Sequence, residues 1–145
     1  MTGALMLSLL FGCNAAPSSS LGVTDGRLAP CPDKPNCVAS DSEDEAKRIE
    51  PLRFEGDQTA IWAALQDAVA GLPRTTIVTV DDTYLHAEAR SRIFGFIDDL
   101  EFQLRPEERL IALRSAARTG RSDFGVNAAR LEDVRTRLKK EGVLP

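Results

Sequence analysis

From Asp57 to Leu72 the apolar side chains fall at Ile61, Trp62, Leu65, Ala68, Val69 and Leu72, the three- and four-residue spacing of one helix face. Asp57 stands where a side chain caps a first turn and Gly71-Leu72-Pro73 supplies a stop, so the pattern predicts an amphipathic helix with Trp62 in the core. The period then changes to two. Thr75–Val80 is β-branched, Asp81-Asp82-Thr83 is turn material and Tyr84–Arg90 alternates, which predicts a hairpin. Pairing Val80 with Leu85 turns Val78, Val80, Leu85, Ala87 and Ala89 toward a core and leaves Tyr84, His86 and Glu88 opposite, where His86 reads as a solvated or hydrogen-bonded side chain before a general base. Ile97–Leu104 sets Leu100, Phe102 and Leu104 on one face and Asp99, Glu101 and Gln103 on the other, with a turn at Arg105-Pro106-Glu107-Glu108. Pairing Leu104 with Arg109 then places Phe102 against Ile111, Leu100 against Leu113 and Asp99 against Arg114. A last helix starts near Asn127 as N-cap, points Leu131, Val134 and Leu138 inward and closes at Lys139, Lys140 and Gly142.

These elements predict an α+β fold: a four-stranded antiparallel sheet, a meander of two hairpins, flanked by an N-terminal and a C-terminal helix. One face of such a sheet is covered by helices and the other is partly open to water, and function is expected on the open face.

Upstream of this pattern lies a short apolar run, Ala4–Phe11. It suits the h-region of a signal peptide and falls well short of the ~20 apolar residues of a spanning helix. It ends in Leu10-Phe11-Gly12-Cys13, which resembles the lipobox of bacterial lipoproteins. That resemblance implies cleavage before Cys13 and a lipid on its thiol, an attachment more stable than a single myristoyl chain gives. Residues 1–12 are accordingly expected to be a signal peptide, 13–29 a lipidated tether rich in Ala, Ser, Gly and Thr, and 30–145 one α+β domain. Asn14 in place of Asp at the second mature position implies outer-membrane sorting in a two-membrane host, so the expected location is the cell envelope, facing the periplasm. The competing reading makes residues 1–12 a buried helix or strand and Cys13 an ordinary thiol. In its favour, the first basic residue is Arg27, whereas signal peptides begin with a basic segment.

The chain has 145 residues, 43% of them hydrophobic, which bounds one globular domain beyond the leader and tether. Its net charge of -4 and lack of a basic tract argue against nucleic acid and against adhesion to anionic lipid by overall charge. Three cysteines resolve as one lipidated, Cys13, and two bridged, Cys31 and Cys37; closing so short a loop is worth about 2 kcal/mol. A metal site requires two further ligands, and His86 is the single histidine, so neither a metal nor another cofactor is expected. A catalytic thiol requires His86 beside a cysteine, and a disulfide silences it.

The segment Arg114–Asn127 holds Arg114, Arg118 and Arg121 with Gly120 and Gly125, and leads into a helix N-terminus. Guanidinium forks and free backbone N–H groups there favour an anion. The competing arrangement is internal pairing of these arginines with Asp98, Asp99, Glu101 and Asp123.

Three stretches together resemble one family: Cys31-Pro32 with Pro35-Asn36-Cys37-Val38; Phe94-Gly95-Phe96-Ile97-Asp98-Asp99-Leu100-Glu101-Phe102; and Arg114-Ser115-Ala116 through Gly120, Ser122-Asp123, Gly125 and Asn127. They cover nearly all of residues 30–141 and are similar to the bacterial and plastid domain of unknown function 1499. The resemblance implies an exported or membrane-associated protein and transfers no catalytic residues. The expected role is a non-enzymatic binding module whose polar face, with Asp98, Asp99, Glu101, Arg114, Ser115, Arg118, Ser122, Asp123 and Asn127 as candidate residues, takes an envelope protein or an anionic envelope component. The alternative is an enzyme on a small or carbohydrate envelope substrate, with Glu101 or Asp99 as acid/base and an arginine holding the substrate; it requires a concave pocket around a perturbed carboxylate.

Overall fold

A computed structural model describes residues 20–145; the expected signal peptide and Cys13 lie outside them. In chain order the elements are β1 (Val23–Thr24), β2 (Arg27–Leu28), β3 (Cys37–Ala39), β4 (Leu52–Arg53), α1 (Gln58–Ala70), β5 (Thr75–Val80), β6 (Tyr84–Arg90), β7 (Ile97–Arg105), β8 (Leu110–Ala117) and α2 (Val126–Lys140), with one 3₁₀ turn at Glu45–Lys47. Strands β5 to β8 run as an antiparallel meander, and the outer edge of β8 is paired twice more, by β3 along Arg114–Ala116 and by β4 along Leu110–Ile111. The expected four-stranded sheet is therefore corrected to a six-stranded sheet plus a separate two-stranded one, β1–β2. The four additional strands are two or three residues long, too short for a period-2 pattern to register, and they are held by main-chain pairing that side-chain type does not announce.

Both helices pack on one face. Asp57 caps α1 by accepting from the Ala60 amide at 3.0 Å, and Ile61, Trp62, Leu65, Ala68 and Val69 meet Leu131, Val134 and Leu138 of α2 over Leu85, Leu100, Phe102, Ile111 and Leu113 of the sheet. Trp62 sits in that core, its indole N–H donating to the Asp81 carbonyl at 3.0 Å.

Two registers differ from expectation. Along β5, Val80 does oppose Leu85, but Ile77 rather than Val78 opposes Ala87, because Val78 is an extra residue between the Ile77 and Thr79 pairs. This bulge leaves Val78 52% and Val80 45% exposed, outside the core assigned to them. In the second hairpin Arg105 pairs with Leu110, so the turn is Pro106–Arg109 and the ladder is displaced by two residues: Phe102 opposes Leu113, and Glu101, not Asp99, opposes Arg114. Arg109 closes that turn in the left-handed region at φ 54. Its guanidinium lies over the Phe54 ring at 5.0 Å and donates to the Glu55 and Gly56 carbonyls, which holds a conformation that glycine would otherwise supply.

The second sheet face is not open. Of the expected tether, the described part from Ser20 forms the β1–β2 hairpin, in which Thr24 pairs with Arg27 across Asp25 and Gly26, both at positive φ. That is a two-residue turn of the type Asp-Gly favours. The hairpin lies across β6–β8: Leu28 packs on Leu110, Ala112 and Tyr84, the Gly22 amide donates to Glu101, and Gln103 donates to the Gly26 carbonyl. With the helices on the opposite face, every residue of β7 is buried.

Candidate functional site

The alternation of β6, β7 and β8 sorts the candidate residues onto two faces instead of one. Asp99, Glu101, Arg114 and Arg118 lie beneath the N-terminal hairpin side, whereas Asp98, Ser115 and Asn127 lie on the helix side. Period-2 geometry requires this separation of Asp98 from Asp99.

On the hairpin side the charges are paired within the chain, although the buried Arg114 Nε donates to no partner among the described residues. Glu101 and Arg114, 0% and 1% exposed, meet at 2.6 Å between Oε2 and Nη1. The other oxygen of Glu101 accepts from the Tyr84 hydroxyl at 2.8 Å and from the Gly22 amide at 2.7 Å, so both carboxylate oxygens are used. Burial and the neighbouring Glu101 carboxylate push the Tyr84 phenol far above its ordinary range, which keeps its proton on the bond to Glu101. One ladder step away, Asp99 accepts from Arg118 Nε at 2.9 Å and Nη2 at 2.7 Å and contacts His86 Nε2 at 2.7 Å. Arg118 Nη2 also reaches Glu88 at 2.5 Å. At the far end Arg105 grips Asp41 with both terminal nitrogens, at 2.9 and 2.5 Å, while donating to Gln103.

On the helix side, Asp98 pairs with Arg130 at 3.0 Å, and the Ser115 hydroxyl donates to the Asn127 side-chain oxygen, whose amide in turn donates to the Asn36 carbonyl at 3.3 Å. Asn127 is not the N-cap: α2 begins at Val126, and Asp123 accepts from the Gly125 and Asn127 amides, each at 3.0 Å. Two of the amides considered for an anion are therefore occupied by the chain's own carboxylate, and the Val126 amide by the Asp123 carbonyl. Ser122 accepts from the Phe124 amide at 3.3 Å at the surface, and Arg121 is exposed. The three arginines do not converge, since Arg114 and Arg118 are spent on Glu101, Asp99 and Glu88 across the sheet.

The electrostatics follow from these contacts. Burial alone raises the Asp99 carboxyl, but the hydrogen bonds and charges of Arg118 and His86 outweigh it and hold the group below its ordinary value of 3.8. Asp123 behaves alike, with the Asn127 and Gly125 amides outweighing burial. Asp98 goes the other way: desolvation exceeds the attraction of Arg130 and the carboxyl is raised. A folded-state value below the unfolded one adds stability that is present above the unfolded value and is lost as pH falls through the folded one; a raised carboxyl does the opposite. The expected result is a denaturation midpoint that drops as pH falls below about 4, a drop made shallower in Asp99→Asn and steeper in Asp98→Asn. Chemical denaturation from pH 6 to 2.5 checks it, and a midpoint flat across that range contradicts the assignment.

His86, Glu88 and Asp99 form the one three-residue group of metal-ligating type among the described residues, their ligand atoms within 4.8 Å of one another. Arg118 already bridges two of them. A divalent ion would have to displace that guanidinium, so the donor set fits an arginine and not a metal. The carboxylates considered for acid/base work, Asp99 and Glu101, are likewise consumed: neither lines the groove of about 710 Å³ that opens between the N-terminal hairpin, Cys31 and Asp41–Lys47. The expected bridge is present, Cys31 bonded to Cys37. It ties down the loop whose Asn36 donates to the Gly120 carbonyl at 2.9 Å, and so braces the segment leading into α2.

Sequence reasoning did not anticipate the parts played by Tyr84, Glu88, Gln103, Arg105, Asp41 and Gly22. One signal was available, the Asp25-Gly26 pair, which marks a hairpin wherever two short runs flank it. The remaining partners sit on edges or loops without periodicity. No curated protein matches this chain. The stretches that make up the paired polar network and the bridged loop do fall within a single family match, over residues 27–138, and on it the chain belongs to a family of proteins of unknown function, DUF1499.

Proposed function

We propose that this chain is an exported, lipid-anchored protein of the cell envelope whose domain acts by binding an envelope protein or an anionic envelope component rather than by catalysis. The anchor part rests on Leu10-Phe11-Gly12-Cys13 and on the cysteine arithmetic: with Cys31 and Cys37 bonded to each other, Cys13 is the one cysteine of the three outside the bridge. A disulfide of this kind also suits an oxidising compartment. The observation that carries the non-enzymatic part is the internal pairing of the buried carboxylates. Both carboxylates considered for acid/base work are buried and paired, Glu101 with Arg114 under the Gly22 amide of the N-terminal hairpin and Asp99 with Arg118 and His86, whereas catalysis needs such a group within reach of a substrate. Asp99, the perturbed carboxyl on that face, is moved in the direction that keeps it ionised, which disfavours it as a proton donor.

The test is intact-mass analysis of the chain recovered from bacterial membranes, followed by native mass spectrometry. The expected species begins at Cys13, carries acyl mass and is two hydrogens lighter than its reduced form; Cys13→Ala shifts the protein out of the acylated membrane fraction. An unmodified Cys13 in a soluble protein overturns the anchor, and a retained small molecule turned over on incubation overturns the non-enzymatic reading.

A further inference from the structure

At one end of the sheet, the turn that joins β6 to β7 carries an apolar tip that no other described residue covers. Ile93 is 83% exposed, Phe94 74% and Phe96 53%, and the two phenylalanine rings stack with centroids 5.4 Å apart. The tip has a defined shape: the Ser91 amide donates to the Phe96 carbonyl at 2.8 Å, the Ser91 hydroxyl accepts from the Phe96 amide at 2.9 Å, and Gly95 takes a positive φ of 66°. Three large apolar side chains held outward on a closed turn bury little within the domain, and such a patch marks a contact surface. Beside it, Arg74, Arg90 and Arg92 surround a shallow recess of about 640 Å³ floored by Thr75, Thr76 and Ser91, and no acidic residue lines it. Arg74 Nε donates to the Arg90 carbonyl at 3.1 Å, fixing the arginines to one another. The carboxylate contact of this group is loose, Glu88 to Arg90 Nη2 at 3.9 Å, and Glu88 is held more tightly by Arg118. In the loop that follows β8, Phe124 is 94% exposed.

We infer that this end of the domain docks on an anionic lipid bilayer, with Ile93, Phe94 and Phe96 entering the interface and Arg74, Arg90 and Arg92 holding a phosphodiester headgroup. Aromatic rings prefer the headgroup level of a bilayer, and guanidinium groups pair with phosphate oxygens. The net charge of -4 bears on overall adhesion and not on this local arrangement, in which basic and apolar groups are gathered within one turn and its flank. In part the inference rests on the anchor proposed above. Only six residues separate Cys13 from Ser20, and a chain spans at most ~3.6 Å per residue, so an acylated Cys13 keeps the domain within roughly 25 Å of the lipid, less than a domain's own diameter. A surface patch that matches lipid is then permanently in reach of it.

Phe94→Trp in the full chain provides the reporter, with the parent chain subtracted to remove the signal of buried Trp62. The chain also carries Cys13→Ser, so that no acyl group contributes. Vesicles of phosphatidylcholine with phosphatidylglycerol are expected to blue-shift the emission of the introduced indole and, when brominated, to quench it. Arg90→Gln with Arg92→Gln is expected to weaken partitioning at least tenfold, as is raising the salt, while the thermal melt stays at the parent value because the replaced side chains are exposed. Unchanged emission from the introduced indole on these vesicles overturns the docking surface, even where native Cys13 still fractionates with membranes. Equal response to vesicles of phosphatidylcholine alone overturns the requirement for an anionic bilayer. A blue shift that follows protein concentration without vesicles overturns lipid as the occupant and assigns the tip to a second copy of the chain. Loss of membrane fractionation in cells on Cys13→Ser, with the vesicle response of the indole intact, supports the anchor and the docking surface by separate readouts.

Discussion

Replacing Arg114 with alanine is expected to destabilise the domain by about 3–5 kcal/mol and to lower its melting temperature by roughly 10–20 °C. The reason lies in what remains. Glu101 is fully buried, and without Arg114 it retains the Tyr84 hydroxyl and the Gly22 amide but no compensating charge. A carboxylate in that position either stays ionised at a desolvation cost of several kcal/mol or takes up a proton. Removing both charges with Glu101→Gln and Arg114→Met is expected to recover most of the loss, because the pair's mutual attraction chiefly offsets its own desolvation. Chemical denaturation of the two single variants and the double variant gives the coupling directly. Additive losses would show that the two residues stabilise the fold separately and would overturn the pairing as the source of the effect.

Arg118→Ala is expected to cost about 3 kcal/mol. Arg118 joins two carboxylates, one of them, Asp99, 1% exposed, and its removal leaves Asp99 with His86 alone among the partners described above. Glu88 is more exposed and recovers part of its hydration, which places the expected loss at the low end for a buried pair. Arg118→Lys restores the charge without the two-pronged geometry and is expected to recover less than half. The measurement that decides is the melt. A variant that melts with the parent while losing a bound partner would return Arg118 to the role of a binding residue; a loss comparable to truncating a core leucine makes it part of the frame.

Both predictions depend on features that differ in how far they were legible in the sequence. The helices were readable because Ile61, Trp62, Leu65, Ala68 and Val69, and again Leu131, Val134 and Leu138, repeat over several turns. The core faces of β6, β7 and β8 were readable too, and the reason survives the error in register: a displacement of two residues preserves which side chains share a face. Pairing across the strands does not survive it, so Arg114 meets Glu101 in place of Asp99. The turn that sets the register, Pro106–Arg109, depends on the arginine's contacts to Phe54, Glu55 and Gly56, distant residues that local pattern cannot include. In β5, one bulged valine was enough to misplace two core positions. The polar face was the least legible part. Asp99, Glu101, Gln103 and Arg105 alternate as solvent-facing residues do; Asp99 and Arg105 are held by the distant Arg118 and Asp41, and what covers Glu101 and Gln103 is short, partly polar and acts through the main-chain atoms of Gly22 and Gly26. Composition alone made that cover look like a linker.

That cover stands between the rest of the domain and whatever lies at the N-terminus. Tension on the chain from that side passes through the Gly22 amide on Glu101 and Gln103 on the Gly26 carbonyl before it reaches any helix or central strand. The connecting segment is thus a mechanical seal over a charged interior: pulling it away would expose the Glu101–Arg114 pair to water while leaving the helix-side core in place.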